Sequence, residues 1–211
     1  MKTTPRIRSH KGDPPWEIAE LYTLQGYWDE EEYLALETNR LIEFSDGFIE
    51  VLPLPTTTHQ MIVLFVMDML RAFVEPGKLG WALFAGIRVR LWKGTFRQPD
   101  VVFMLAKHAD RVREEYWRGA DLAMEVVSGG HEDRRRDLVT KRREYAKAGI
   151  SEYWIVDPKM SKITVLKLLG KKYVVAGSYG HGSSAKSVLL KGFEVDVTAA
   201  LAGMTANGRK K

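Results

Sequence analysis

The 211-residue chain has the length of one α/β domain, and its 45% hydrophobic and 28% charged residues are typical of a globular protein. It contains no cysteine, which excludes disulfides, thiolate zinc sites and cysteine nucleophiles. None of its five histidines lies three or four residues from another, so the sequence offers no helical histidine pair for zinc. Any metal site must therefore depend mainly on carboxylates, which favour hard cations such as Mg²⁺ or Mn²⁺.

The net charge of +5 and the sequence pI of about 9.3 permit a phosphate-rich partner without establishing one. Much of the excess lies at the two ends, where we expect a flexible basic arm over 1–15 and a basic tail over 204–211 around a single domain at 16–203. No apolar run reaches the roughly 18 residues of a membrane span, and no apolar signal core follows the basic N-terminus. We therefore expect a cytoplasmic protein with no membrane partner.

The first part of the chain is predicted to form two helices and a hairpin: a helix over 28–36, a hairpin of 41–44 and 48–52, and a helix over 59–73. Asp29 is the expected N-cap of the first helix, and glutamates follow in its first turn. Asp46-Gly47 is a strong turn signal for the hairpin. Thr58 is the expected cap of the long helix, which Pro76 and Gly77 end.

The rest of the chain alternates between β-rich and helical segments. We predict strands over 81–84, 88–92, 100–105, 122–127, 152–156, 163–168, 173–176 and 187–190, and helices over 132–148 and 196–202. The run 122–127 is apolar apart from Glu125, as a buried central strand should be. Gly149 is a suitable C-terminal stop for the helix before it. This order predicts an α/β fold in which a mixed sheet is flanked by helices, after an N-terminal helix and hairpin.

Two carboxylates stand in strands that are otherwise apolar, Asp100 at the start of one and Glu125 inside another. A buried ionised carboxylate is costly unless it is paired or bound to a metal, and two of them on neighbouring strands could share one cation. The alternatives are that Asp100 is a turn aspartate after Pro99, and that Glu125 is paired with a buried arginine.

Lys141 lies at the border of the apolar stripe of the helix at 132–148, so its side chain can reach toward the sheet. Asp137 precedes it by four residues. Taken alone, this spacing indicates an exposed surface ion pair that contributes a few tenths of a kcal/mol.

Taken together, these residues resemble the Uma-type family of restriction endonucleases, a branch of the PD-(D/E)XK nuclease superfamily. The similarity extends from about Tyr33 to Tyr173 and includes the run Leu-Ile-Glu-Phe-Ser-Asp-Gly at 41–47. The other matching positions are Pro53, His59, 98–102, 125–128, Asp137, Lys141, Tyr145, 148–150 and 152–158.

The resemblance implies a restriction-endonuclease-like fold and Mg²⁺- or Mn²⁺-dependent hydrolysis of phosphodiester bonds in DNA. It implies that Asp100 and Glu125 hold the metal. The superfamily's lysine two residues after the glutamate is replaced by Val127, and Lys141 matches the lysine that this branch carries on the following helix. The resemblance also assigns supporting roles in metal or substrate binding to three further residues: Glu43, His59 and Asp137. His59 has the alternative of an ordinary polar residue at a helix start.

The sequence leaves two other interpretations open. Val127 favours a non-catalytic DNA-binding or protein-interaction module on the same fold, because fold does not determine function. A third interpretation is a structural domain with an RNA partner.

The loop Ser128-Gly129-Gly130 departs from the family's usual Ser-Pro, which affects the shape of the loop and not the carboxylates. No separate recognition domain is visible, so a homodimer is a possible way to hold a duplex.

Overall fold

The structure, a computed structural model, describes residues 22–38 and 40–202 of the chain. The predicted arm at 1–15 and tail at 204–211 lie outside the described residues. The helices are α1 (Glu30–Leu34), α2 (Thr57–Val74), α3 (His131–Arg135), α4 (Arg142–Ala148) and α5 (Val197–Ala202). A π-helical segment (Arg136–Lys141) joins α3 to α4, and a 3₁₀ helix covers Ala106–Arg111.

The strands are, in chain order, β1 (Ile42–Ser45), β2 (Phe48–Val51), β3 (Gly80–Phe84), β4 (Arg88–Trp92), β5 (Thr95–Arg97), β6 (Val101–Leu105), β7 (Tyr116–Arg118), β8 (Leu122–Val126), β9 (Glu152–Asp157), β10 (Lys162–Leu169), β11 (Lys172–Gly180), β12 (Ser184–Lys186) and β13 (Glu194–Asp196). The main sheet has the order β11-β10-β9-β8-β6-β3, and a second sheet has the order β2-β1-β5-β4-β7. Strands β8 and β9 run parallel and the other neighbours in the main sheet are antiparallel, so the predicted mixed sheet is confirmed.

The main sheet is covered on both faces, which explains why its central strands are so apolar. On one face, Val101 and Met124 pack with buried side chains of α2 and α5. On the other face, Val102 and Ala123 pack with Tyr145 of α4. Because side chains alternate along a strand, the register of these strands decides which polar residues face α4.

The predicted N-terminal helix and hairpin are both present. Asp29 caps α1 through a capping box in which its side chain accepts from the backbone N–H of Glu32, and the Glu32 side chain accepts from that of Asp29. Strands β1 and β2 pair from Ser45 and Phe48 outward, around the turn predicted at Asp46-Gly47. Both turn residues have positive φ, 45° and 89°, as a tight hairpin turn requires.

The start of the long helix differs from the prediction. Its N-cap is Thr56 and not Thr58, because the Thr56 hydroxyl accepts a hydrogen bond from the backbone N–H of His59 at 3.2 Å and its backbone is extended. Helix α2 therefore starts two residues earlier than predicted, at Thr57. Its length and mean hydropathy of 1.2 would also suit a membrane span, but by length and composition only. One face of the helix, including Ile62 and Leu70, is buried against the main sheet.

The prediction that 187–190 forms a strand is wrong. This segment is a loop, and β12 pairs instead with β13. The physical reason is Glu152, whose buried carboxylate accepts hydrogen bonds from the backbone N–H groups of Val188 and Leu189 at 2.6 and 2.8 Å. Those N–H groups are therefore used by a side chain and not by a strand ladder. Strands β5 and β7 were not predicted, since three residues are too short to give a periodic pattern.

Candidate active site

Asp100 and Glu125 lie side by side on the face of the main sheet that packs against α4. Asp100 immediately precedes β6, which pairs with β8 through Val101 opposite Met124. Continuing that antiparallel register by one residue sets Asp100 opposite Glu125. Side-chain alternation gives both residues the orientation of Val102 and Ala123, whose side chains belong to the core cluster under Tyr145.

The Asp100 carboxylate is hydrogen bonded through both oxygens. Its Oδ1 is 3.0 Å from Nε2 of His59, and its Oδ2 accepts from the backbone N–H of Val126 at 2.8 Å. Burial lowers the pKa of His59, but the hydrogen bond and the charge of Asp100 outweigh it and leave that pKa raised. The second ring nitrogen, Nδ1, is buried without a hydrogen-bond partner among the described residues. His59 thus links the start of α2 to the carboxylate.

Glu125 is buried and receives its hydrogen bonds on a single oxygen. Its Oε1 accepts from the Lys141 ammonium at 2.9 Å and from the Tyr145 hydroxyl at 2.6 Å. Among the described residues no donor reaches Oε2, so this oxygen is left for another ligand. Burial, with a contribution from the charge of Asp100, raises the pKa of Glu125 to about 8 against the lowering effect of Lys141.

Lys141 is only 2% exposed and its ammonium faces three carboxylates. Nζ lies 2.9 Å from Oε1 of Glu125, 3.2 Å from Oε1 of Glu43 and 3.7 Å from Oδ1 of Asp137. Burial lowers the pKa of Lys141, but the charges of these carboxylates outweigh it and raise that pKa. Asp137 and Lys141 are both buried, so they do not form the exposed surface pair that their spacing alone indicated.

The π-helical segment explains how three residues spaced by four share one direction. In a regular α-helix each step of four residues turns the side chain by about 40°, so Asp137, Lys141 and Tyr145 would cover about 80° of one face. The segment Arg136–Lys141 is π-helical, and its wider turn makes the first of these steps fall short of a full turn. The rotation over the π-helical step is less than a full turn and the rotation over the step in α4 is more than a full turn. The two differences offset each other, so all three side chains reach the interior.

Glu43 comes to this cluster from the second sheet. It is 1% exposed, it accepts from the backbone N–H of Gln98 at 3.2 Å, and Arg97 approaches its Oε2 at 3.5 Å. The guanidinium of Arg97 also donates two hydrogen bonds to Glu144 of α4, at 2.7 and 2.8 Å. Lys141 therefore lies between a carboxylate of each sheet, and Arg97 and Glu144 attach the second sheet to α4.

Sequence reasoning missed Arg97, Glu144 and the role of Tyr145, which it named only as a position that matches the family. The spacing of four that links Tyr145 to Lys141 was the available signal. For Arg97 no comparable signal exists, because β5 has only three residues and its partner lies 47 positions away.

The carboxylates around Lys141 are accompanied by several buried polar atoms that have no hydrogen-bond partner among the described residues. Burial raises the pKa of Asp137 to about 6, against the lowering effects of Lys141 and Arg136. Buried atoms without hydrogen-bond partners among the described residues gather around the cluster: His59 Nδ1, Gln98 Oε1, Arg136 Nε and Asp137 Oδ1. Native proteins leave few such atoms unsatisfied, so the arrangement fits a cation and ordered water.

The residues that are present fit a magnesium or manganese ion better than a softer metal, because the available donors are carboxylate oxygens. Within the described ranges, no group of three His, Asp or Glu side chains is arranged as a complete ligand set. Asp100 and Glu125 would thus supply two ligands and water the others. Mg²⁺ commonly binds proteins in this way, through one or two carboxylates.

Comparisons with known proteins give the fold and the family of the chain. The fold is similar to the crystal structure of a protein described as a "putative nuclease belonging to DUF820" from Anabaena variabilis, with a TM-score of 0.66 and 17% identity over 82% of this chain and 97% of that chain. No curated protein matches the chain. The model of the family Uma2, described as "Putative restriction endonuclease", matches residues 30–198. With most of its length covered by that match, the chain belongs to the Uma2 family of restriction-endonuclease-like proteins.

Proposed function

We propose that the protein is a Mg²⁺- or Mn²⁺-dependent endonuclease that hydrolyses phosphodiester bonds in DNA. The observation that carries the proposal is the buried ammonium of Lys141, 2.9 Å from Glu125 and on the same sheet face as Asp100. This ammonium, carried by a helical segment, takes the place of the lysine that the superfamily has two residues after the glutamate. Val127, which takes that place here, is buried and its side chain cannot donate a hydrogen bond.

In this proposal each residue has one task. Asp100 and Glu125 would hold the metal ion, and a bound ion would lower the pKa of a water and offset charge on the scissile phosphate. Lys141 positions the attacking water and stabilises the charge that develops on the phosphate. His59 orients Asp100 through the hydrogen bond to Oδ1. Glu43 and Asp137 share the charge of Lys141 and hold its ammonium in the centre.

A non-catalytic DNA-binding or protein-interaction module is the second candidate. The observation in its favour is that Lys141 already contacts Glu125 and Glu43, so its charge compensates these carboxylates without a metal. A buried lysine used only in this way would stabilise the fold and would not reach a substrate.

A cleavage assay separates the two candidates. Purified protein is incubated with plasmid and single-stranded DNA in Mg²⁺ or Mn²⁺, and wild type is compared with Asp100→Asn. We expect wild type to cut, and Asp100→Asn to lose about 10²–10³-fold in rate, as is typical for loss of one electrostatic contact in a site. The matched control is Asp110→Asn, the same change at an exposed surface residue paired with Arg118. Binding to DNA without cleavage in either metal would favour the module.

We further propose that the protein acts as a homodimer, because a duplex presents two strands related by symmetry and most oligomers are symmetric. The edge of the main sheet at β3 is the surface that fits this role. A cytoplasmic location and a single domain over 16–203 stay predictions from the sequence.

A further inference from the structure

We propose that Tyr145 is a positioning residue for the metal site: its hydroxyl holds Oε1 of Glu125 and so presents Oε2 to the ion. This inference rests on the proposed function. It is carried by the 2.6 Å hydrogen bond from the Tyr145 hydroxyl to Oε1, between two residues that are both buried. Lys141 donates to the same oxygen at 2.9 Å. Because both donors bind Oε1, that oxygen is held in place and Oε2 is left for a ligand.

The ring of Tyr145 is also held by a contact other than its hydrogen bond to Glu125. Its ring meets that of Tyr153 edge to face, with 5.1 Å between centroids and an interplanar angle of 88°. Tyr153 donates to the carbonyl oxygen of Asp137, and Tyr173 donates to that of Ile150. Within this group of three buried tyrosines, Tyr145 alone donates to a carboxylate. A hydroxyl fixed in this way can hold the carboxylate in place.

The neutral hydroxyl of Tyr145 holds Glu125 in a situation in which Lys141 alone cannot. When the Lys141 ammonium turns toward a water or a phosphate oxygen, its hydrogen bond to Glu125 weakens. The Tyr145 hydroxyl then remains on Oε1 and keeps the carboxylate in its orientation. A tyrosine hydroxyl carries its proton at neutral pH, so it is a donor to the carboxylate.

The predicted consequence is a loss of metal affinity and not of folding. Tyr145→Phe keeps the ring and its packing and removes only the donor, which leaves Glu125 free to rotate about its bond to Lys141. Loss of a partner that orients a metal ligand typically weakens metal binding about 10–100-fold. We expect a weakening in that range for Mn²⁺, with an unchanged circular dichroism spectrum.

The experiment measures Mn²⁺ binding by isothermal titration calorimetry in the absence of DNA, so it does not depend on cleavage. The matched control is Tyr173→Phe, which removes a buried hydroxyl that bonds a backbone carbonyl in the same group of tyrosines. Weaker binding in Tyr145→Phe alone supports the inference. If the cleavage rate of that variant also recovers at saturating Mn²⁺, the effect is on metal binding and not on the chemical step.

Each result that would contradict this inference can be told apart from the others. Equal Mn²⁺ affinity in wild type and Tyr145→Phe overturns the positioning role and leaves the proposed function standing. Equal weakening in Tyr145→Phe and Tyr173→Phe also overturns it, because the effect would then come from packing. Absence of Mn²⁺ binding by wild type overturns the metal-dependent function itself, and the positioning role with it.

Discussion

Glu125 is an ionisable residue in a strand whose other residues are apolar and buried, and Asp100 lies beside it on the next strand. Burial and the charges of Asp100 and Asp137 oppose ionisation of Glu125, whereas Lys141 and the Tyr145 hydroxyl favour it. A divalent ion would relieve this repulsion. At the scale of these residues, the consequence is that the stability of the folded protein depends on a bound metal ion.

We therefore expect Mg²⁺ or Mn²⁺ to raise the melting temperature of the wild type, since a ligand that binds the folded state alone stabilises it by about 2.7 kcal/mol at 100 times its dissociation constant. Glu125→Gln should remove this response, because the amide no longer attracts the ion. Thermal unfolding across a metal titration measures both. Glu50→Gln, a change at an exposed position on β2, should keep the full response, and a melting curve that does not move with metal in wild type would count against a dedicated site.

The burial of Lys141 changes what its replacement is expected to do. A lysine at the surface could be truncated with little effect on folding, but this one neutralises Glu43 and Glu125 in the interior. Removing one partner of a buried ion pair typically costs about 3–5 kcal/mol. We expect a loss of stability of that size in Lys141→Ala, measured by urea unfolding.

Lys186→Ala is the control for that loss, because Lys186 is 68% exposed and its distance to Glu194 is 4.0 Å. It should unfold like the wild type. Equal stability of Lys141→Ala and wild type would mean that the ammonium is not the counter-charge of the cluster. A cleavage defect in Lys141→Ala is interpretable only at temperatures where the variant is folded.

At the scale of elements, the helix that carries Lys141 is fastened to the sheet at its start by Arg134. The guanidinium donates to both oxygens of Asp157 at the end of β9, at 3.1 and 2.7 Å, and the Met160 backbone N–H donates to the same carboxylate. Burial raises the pKa of Asp157, but these hydrogen bonds outweigh it and leave that pKa lowered. A lowered pKa in the folded state means that the stabilisation is present above the ordinary value of about 3.9 and is lost as the pH falls through the folded value.

The prediction is that wild type is more stable than Asp157→Asn at neutral pH, and that the difference shrinks once the pH falls below about 4. Free energies of unfolding from urea titrations between neutral and acidic pH measure the difference. In an Arg134→Gln background the same substitution should give a smaller difference with a weaker pH dependence. A difference that is constant across the whole range would show that the ion pair does not hold the helix to the sheet.

The elements themselves followed from the sequence where the pattern is long or the local chemistry is specific. The capping box at Asp29 and the turn at Asp46-Gly47 depend on neighbouring residues, and both were predicted correctly. The helix over 132–148 was predicted as regular, and its π-helical part was not, because apolar periodicity cannot show one extra residue in a turn. That turn is what moves Lys141 from the border of the stripe into the interior.

The residues of the buried cluster could be named from the sequence, but the contacts between them could not. Asp100, Glu125, Lys141 and Glu43 came from the resemblance, and two of these are conspicuous as charges in apolar strands. The bond from Tyr145 to Glu125 and the approach of Arg97 to Glu43 depend on how α4 and two sheets pack together. Contacts of this kind join residues far apart in the chain, and no local pattern records them.

At the scale of the whole molecule, no strand among the described residues covers the β3 edge of the main sheet. Strand β3 pairs with β6 on one side only, and its five residues carry no charge. It exposes large apolar side chains: Trp81 at 42%, Leu83 at 39% and Phe84 at 61%. Edge strands normally avoid pairing through charges, prolines or bulges, and β3 has none of these. A second copy can pair antiparallel with it about a two-fold axis without bringing like charges together.

We expect the wild type to be a dimer through β3, and Leu83→Lys to shift it to monomer. Lysine on an edge strand opposes strand pairing, so one lysine in each copy would destabilise the contact between the two β3 strands. Size-exclusion chromatography with light scattering measures the mass of each variant. Val175→Lys is the matched control, because Val175 is 56% exposed on β11 at the opposite edge of the same sheet. A wild type that is monomeric at every concentration, or a dimer that persists in Leu83→Lys, would remove β3 as the interface. A dimer lost in Val175→Lys alone would assign the interface to β11 at the opposite edge.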